Sequence, residues 1–103
     1  MNNADIFITI NHLDDYNGLS NIKVGNTLTL LKDLNNPYDD EAIVVYDKDN
    51  TKIGYVANSV RSVARGTYSA GRLYDKVEKE TTCEVCFILG DILIAKLSKT
   101  VLQ

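Results

Sequence analysis

Ala42-Ile43-Val44-Val45-Tyr46, Asp47-Lys48-Asp49-Asn50 and Thr51-Lys52-Ile53-Gly54-Tyr55-Val56 follow one another without a break, and this stretch decides the fold. β-branched and aromatic residues fill both flanks, and such side chains favour a pleated, half-buried backbone. The four polar residues between them suit a turn, because Asp and Asn side chains bond nearby backbone amides. The stretch therefore predicts a hairpin. Upstream, Thr27-Leu28-Thr29-Leu30-Leu31 alternates as a half-buried strand does. Asp5 to Ile10 is a short β-rich run, separated from it by the polar segment 11–23 with its Asn17-Gly18 turn signal. Downstream, Asn58 or Ser59 is placed to cap a helix with Val60, Val63 and Ala64 on one face and Gly66 as its stop. Ala70 to Lys79 reads as a second short helix or an irregular loop. Thr82 to Leu89 and Asp91 to Leu97 form a closing hairpin around Gly90-Asp91. Many short strands with one or two helices predict a mainly β domain, a small OB-like or SH3-like β-barrel.

A chain of 103 residues without linker or repeat fits one domain, 1–103. Its 45% hydrophobic and 24% charged residues are those of a globular domain, which argues against disorder. No apolar run approaches the roughly 20 residues that span a bilayer, so no membrane association is expected. Met1 to Asp5 lacks the order of a signal peptide. Cys83 and Cys86 lie three apart in a predicted strand, where they face opposite ways. With His12 as the single histidine there is no four-ligand zinc set. Two reduced thiols in or near a core, in a reducing cytoplasm, are the expectation.

Catalysis has little support. No GxSxG, Walker loop or HExxH occurs. Paired carboxylates occur at Asp14-Asp15 and Asp39-Asp40-Glu41, of which Asp39 with Glu41 invites a metal-dependent reading, and turn carboxylates ordinarily bond backbone amides. The expectation is a non-enzyme with no cofactor. Net charge is −3, which is not the balance of a simple electrostatic nucleic-acid binder. The sign is uneven, however: residues 61–76 carry Arg61, Arg65, Arg72 and Lys76 against Asp75 alone. Folded onto one face, they make a local positive patch.

The sharpest feature is Lys32-Asp33-Leu34-Asn35-Asn36-Pro37-Tyr38-Asp39-Asp40-Glu41 between two predicted strands. Pro37 limits the directions open to Tyr38 and Asp39. One reading makes Tyr38 a stacking plate and Asp39 an acceptor for a sugar hydroxyl or base amine, a pair suited to a strand terminus. The other has Asn36 and Asp39 building an Asx-type turn while Tyr38 packs on the barrel wall.

Val24-Gly25-x-x-Leu28-x-Leu30, then Asn36-Pro37-Tyr38-Asp39-x-x-Ala42-Ile43-x-Val45, then Ile53-Gly54-Tyr55-Val56, resembles the signature of the HIRAN domain in order and spacing. The resemblance is close over residues 6–65 and extends to the C-terminus through the closing strands, and free-standing HIRAN-like proteins of bacteria look like this chain, including its Gly66 to Asp75 stretch. It implies a β-barrel that binds single-stranded DNA at its 3′-hydroxyl end, as in a replication-fork remodeller of the family. Carried over by motif, Tyr38 flanks the terminal nucleotide, Asp39 accepts from the 3′-hydroxyl and Asn36 holds the loop or the nucleotide. Tyr55 and Asn58 then lie beside the same groove. Where the remodeller has an Arg-Tyr-Tyr run, this chain has Asp14, Asp15 and Tyr16, and Ala57 and Asn58 replace basic positions. Arg61, Arg65, Arg72 and Lys76 are the candidates to restore positive charge. The implied partners are single-stranded nucleic acid, with a DNA end favoured, and a DNA-processing protein. In larger relatives neighbouring domains hydrolyse ATP and bind zinc, and 103 residues hold neither. The alternative is a protein-interaction module on the same barrel, marked by an exposed apolar patch or an unpaired strand edge.

Overall fold

A computed structural model describes residues 5–12, 22–59, 63–90 and 92–98. It contains β1 (Phe7–His12), β2 (Thr27–Lys32), β3 (Ile43–Tyr46), β4 (Lys52–Val56), a short helix α1 (Ala70–Tyr74), β5 (Glu80–Leu89) and β6 (Ile92–Leu97). The strands close into an antiparallel barrel in the order β1-β4-β3-β2-β5-β6, with β6 pairing back onto β1. Closure removes the two free edges that an open sheet would present. The domain is mainly β, as expected. Among the described residues no helix is long and apolar enough to cross a membrane.

The core follows from the period of two along each strand. Ile8 and Ile10 of β1, Leu28 and Leu30 of β2, and Ile43 and Val45 of β3 are buried, as are Cys83 and Val85 of β5 and Leu93, Ala95 and Leu97 of β6. Each fully buried aliphatic side chain contributes about 1.5–3 kcal/mol. Two irregularities re-aim side chains. Val45 faces Gly54 while Tyr46 faces Lys52, so Ile53 is the extra residue of a bulge. This lets Ile53 and Val56, three apart, both reach the core. In β5, Val85 faces Ala95 and Phe87 faces Ile94, which leaves Cys86 unpaired against β6. Beyond it Phe87, Ile88 and Leu89 are exposed. The predicted hairpin turn forms at Asp47–Asn50: the Asp47 carboxylate accepts the N–H groups of Asp49 and Thr51, and Asn50 adopts φ 64°, a left-handed conformation that Asn tolerates.

Of the two helical segments expected after β4, the second is present as α1, and the first falls largely on residues outside the described ones. The helix lies at 70–74 and is capped by Ser69, whose Oγ accepts the Arg72 N–H. Residues 60–62 lie outside the described residues. Across them Val63 N–H bonds Ser59 O, the spacing of a helical turn, and no helix continues in 63–67, where Thr67 N–H bonds Ala64 O. A tether along β1 holds the chain that follows. Thr9, fully buried, accepts the Ala64 N–H at 3.0 Å and shares a 2.8 Å hydrogen bond with the Thr67 hydroxyl. Tyr68 N–H then bonds Phe7 O at 2.7 Å, pairing this chain with the strand. Ala70 and Leu73 of α1 complete the core.

Candidate nucleic-acid interface

The loop between β2 and β3 is held by its own short polar side chains. Asp33 N–H bonds Ala42 O at 2.9 Å and closes the loop's base. Asn36 Nδ2 donates to Asp33 Oδ2, which fixes which way the amide points. Its Oδ1 then accepts two backbone donors, Tyr38 N–H at 2.8 Å and Asp39 N–H at 3.0 Å. Asp39 repeats the motif, with Oδ1 accepting the Glu41 N–H at 2.9 Å. Among the described residues no donor reaches Asp39 Oδ2. The Asx-turn reading of the loop is therefore right, but its companion expectation is not: the Tyr38 ring is 93% exposed and does not pack on the barrel wall. With its amides satisfied locally, the backbone holds Tyr38 outward beside a half-buried carboxylate that keeps an oxygen open.

A seam joins this loop to the start of α1. Asn58 follows β4 and accepts the Gly71 N–H on Oδ1 at 2.8 Å. A Cβ added at Gly71 would lie 2.7 Å from Glu41 Oε1 and 3.2 Å from Asn58 Oδ1. Glu41, Asn58 and α1 thus meet where any larger residue at 71 would crowd them. The Glu41 carboxylate turns toward this seam. Among the described residues no group of three His, Cys, Asp or Glu side chains is arranged to hold a metal ion. The adjacent Arg72 lays its guanidinium over the Tyr68 ring, 4.1 Å from the centroid.

Tyr55 stands on the outer face of β4, opposite Val44 of β3 and Asn11 of β1. Lys52 Nζ sits 4.6 Å from its ring centroid and donates to its hydroxyl at 2.8 Å. Between this face and the rising side of the loop lies a shallow depression of about 270 Å³, lined by Leu31, Lys32, Asp33, Leu34, Asn35, Val44, Tyr46, Lys52 and Lys79.

Asn36, Tyr38 and Asp39 thus occupy one rigid loop, and Asn58 and Arg72 reach it through Glu41 and Gly71. Arg65 is exposed and Lys76 half-buried, and among the described residues no hydrogen bond or ring contact joins either to the loop. Tyr16 and Arg61, together with Asp14 and Asp15, lie outside the described residues. Three contributors escaped the sequence reading. Asp33 orients Asn36, and its i, i+3 spacing within an Asx-rich loop was the available signal. Glu41 and Tyr68 act through contacts between distant segments, for which a single sequence holds no signal. The thiols are both free, Cys83 buried and Cys86 half-buried. Burial, with a smaller contribution from Cys86, pushes the Cys83 thiol up to about 12.

No curated protein and no solved structure matches the chain significantly. The family model described as HIRAN domain matches residues 5–82, which takes in β1 to β4, the stapled loop, the Asn58–Gly71 seam and α1. The chain belongs to the HIRAN domain family, whose members are generally modules that bind single-stranded DNA or other nucleic acid.

Proposed function

We propose that this domain is a non-catalytic module that holds the 3′-hydroxyl end of single-stranded DNA on the loop between β2 and β3. The observation that carries the reading is the fully presented Tyr38 ring on a loop pinned by Asn36, next to an Asp39 carboxylate with Oδ2 open. An aromatic plate suits the last base, because stacking needs only a π-face and contributes about 1–3 kcal/mol per base. A carboxylate repels phosphate and accepts from a hydroxyl, so it favours a terminus over a continuous backbone. Asn36 acts by holding the loop. Asn58 meets the loop at Gly71 and Glu41, beside Arg72, and the reading extends the contact surface to Tyr55 on the outer face of β4.

Titration of a 5′-labelled oligothymidylate with a free 3′-hydroxyl, against the same strand ending in a 3′-phosphate, tests the reading. The expected result is weaker binding of the blocked strand, with the difference lost in Asp39→Asn. That substitution keeps an acceptor for the Glu41 N–H and so spares the loop. Equal binding of the two strands overturns the proposal.

One observation favours a second reading, a protein-interaction module. Phe87, Ile88 and Leu89 are exposed together at the end of β5, past the last described pairing of that strand with β2. Light scattering after size exclusion, with Phe87→Ser as comparison, tests the simplest form: self-association that the substitution abolishes supports it, and a monomer in both counts against it.

A further inference from the structure

The carboxylate beside the Tyr38 ring has more acceptor capacity than a single hydroxyl uses. We propose that Asp39 makes the loop selective for a single strand whose 3′-terminal sugar is a ribose, by accepting from its vicinal 2′- and 3′-hydroxyls. The proposal rests on the strand-end reading above and specifies the sugar at that end.

The placement of Asp39 comes first. The exposed Tyr38 ring offers a plate for the terminal base, and the next side chain along the loop meets the sugar attached to that base. Asp39 is half-buried and held from three sides. Its N–H donates to Asn36 Oδ1, its carbonyl accepts the Ala42 N–H, and its Oδ1 accepts the Glu41 N–H at 2.9 Å. The other acceptors of the loop are committed elsewhere or lie outside this frame. Asn36 Oδ1 already takes two backbone amides, Asp33 Oδ2 takes Asn36 Nδ2, and the Glu41 carboxylate turns toward the Gly71 seam. Asp40 is exposed, and among the described residues no hydrogen bond orients its carboxylate.

Acceptor chemistry decides the sugar. An ionised carboxylate has about four lone-pair sites and donates nothing. The Glu41 N–H fills one of them. A terminal deoxyribose brings one hydroxyl donor. A terminal ribose brings two on adjacent carbons, close enough for both to reach one carboxylate. Acidic side chains hold ribose hydroxyls in dinucleotide-binding folds, and the 2′-hydroxyl is the group by which a protein tells RNA from DNA. The second bond orders no further protein, because the loop is pinned before the ligand arrives. A chain of net charge −3 also gains less from phosphate contacts than a basic one, so recognition of the terminal sugar carries a larger share of the selectivity.

The test titrates the whole chain with 5′-labelled octanucleotides, seven thymidylates followed by deoxyuridine, uridine, 2′-O-methyluridine or deoxyuridine 3′-phosphate. The uridine end is expected to bind about tenfold more tightly than the deoxyuridine end, the effect of one further hydrogen bond to a charged acceptor. The methylated end keeps the 2′-oxygen and loses its donor, and is expected to return to the deoxyuridine level. Asp39→Asn is expected to abolish the gain. Asp40→Asn removes the same charge from the same loop and is expected to keep it, with melting curves to check both folds. Octauridylate with and without a terminal 2′-O-methyl group separates the two sources of a ribose end: weakening by the methyl group there as well as in the DNA strand admits RNA, and weakening in the DNA strand alone assigns ribose-ended DNA. Equal or weaker binding of the uridine end, with the 3′-phosphate still disfavoured, overturns the ribose selectivity alone. A gain that survives methylation or Asp39→Asn, or that is lost in Asp40→Asn, overturns it too. A uridine gain with no penalty for the 3′-phosphate, or failure of the wild-type chain to bind any of the octanucleotides, overturns the strand-end reading with it.

Discussion

Asn36 Oδ1 accepts the Tyr38 N–H at 2.8 Å, while the ring of that same tyrosine stands 93% exposed. The backbone of Tyr38 is fixed and its side chain has nothing to hold it. Rigidity and presentation are therefore carried by different residues, and substitutions separate them.

Tyr38→Ala removes a ring that packs on nothing, so the melting temperature stays where it is, within the roughly 0.5 kcal/mol of an ordinary surface change. Affinity for single-stranded DNA falls by about 1–3 kcal/mol, the contribution of one stacked base. Asn36→Ala does both kinds of harm. It strips the acceptor from two backbone amides and costs about 1 kcal/mol of stability, in line with other local side-chain caps. Affinity falls as well, because the ring and the Asp39 carboxylate lose their fixed relation. Thermal melts and titrations on the two variants check the split.

Thr9 supports the site from the opposite side of the chain. Its hydroxyl receives the Ala64 N–H and shares a hydrogen bond with Thr67 in a fully buried setting. Thr9→Val keeps the shape and leaves that amide without its partner, a loss of about 1–3 kcal/mol. Hydrogen exchange at Ala64 and Tyr68 is expected to speed up more than exchange at Leu30 or Val45. Uniform acceleration would mean that the segment 63–68 is not a separately tethered unit.

The barrel was legible because its signals are local. The Thr-Leu alternation of 27–31 fixes which face of β2 is buried, and Asp47 to Asn50 supply the turn between β3 and β4 with no help from the rest of the chain. Asn58 has a role that no local signal carries. An Asn before a run with apolar residues at helical spacing is a good cap, yet here its oxygen goes to Gly71, thirteen positions on. Tertiary contacts to Thr9 and Phe7, which no local pattern announces, hold the segment 64–68 against β1. The loop was half legible. The Asx turns follow from Asn36 and Asp39 themselves, whereas the direction of the Tyr38 ring depends on what neighbouring strands leave uncovered.

Gly71 offers a sharper test of the seam. Alanine is favoured over glycine within a helix by about 1 kcal/mol. At this position the added methyl meets the flexible, exposed end of Glu41 at 2.7 Å and the tethered Asn58 oxygen at 3.2 Å. Glu41 can swing away at little cost, and Asn58 has to yield only slightly. Gly71→Ala alone is expected to be close to neutral in stability. In a Glu41→Ala background the same change is expected to stabilise, because the closest obstacle is gone. The measurement is a double-mutant cycle by chemical denaturation. Additive effects would show that Glu41 does not lie against α1.

Cys83 links the core to alkaline stability. Its thiol is raised from 9.0 to about 12, chiefly by burial. The folded state therefore binds this proton more tightly than the unfolded chain does. The stabilisation is complete below pH 9.0 and is lost as pH rises toward about 12. Within that window each pH unit removes about 1.4 kcal/mol for this one group. Cys83→Ala leaves a small cavity and lowers stability at neutral pH by about 1 kcal/mol, but it flattens the alkaline decline relative to the wild-type chain. Cys86, half-buried at the β5 bulge, is expected to take up a maleimide at pH 8 in the folded protein, while Cys83 reacts only after denaturant is added. Mass spectrometry of the labelled peptides distinguishes the two. Equal labelling of both thiols in the native state would show that the wall formed by Cys83, Val85 and Leu28 opens, and the barrel would then be looser at β5 than its register implies.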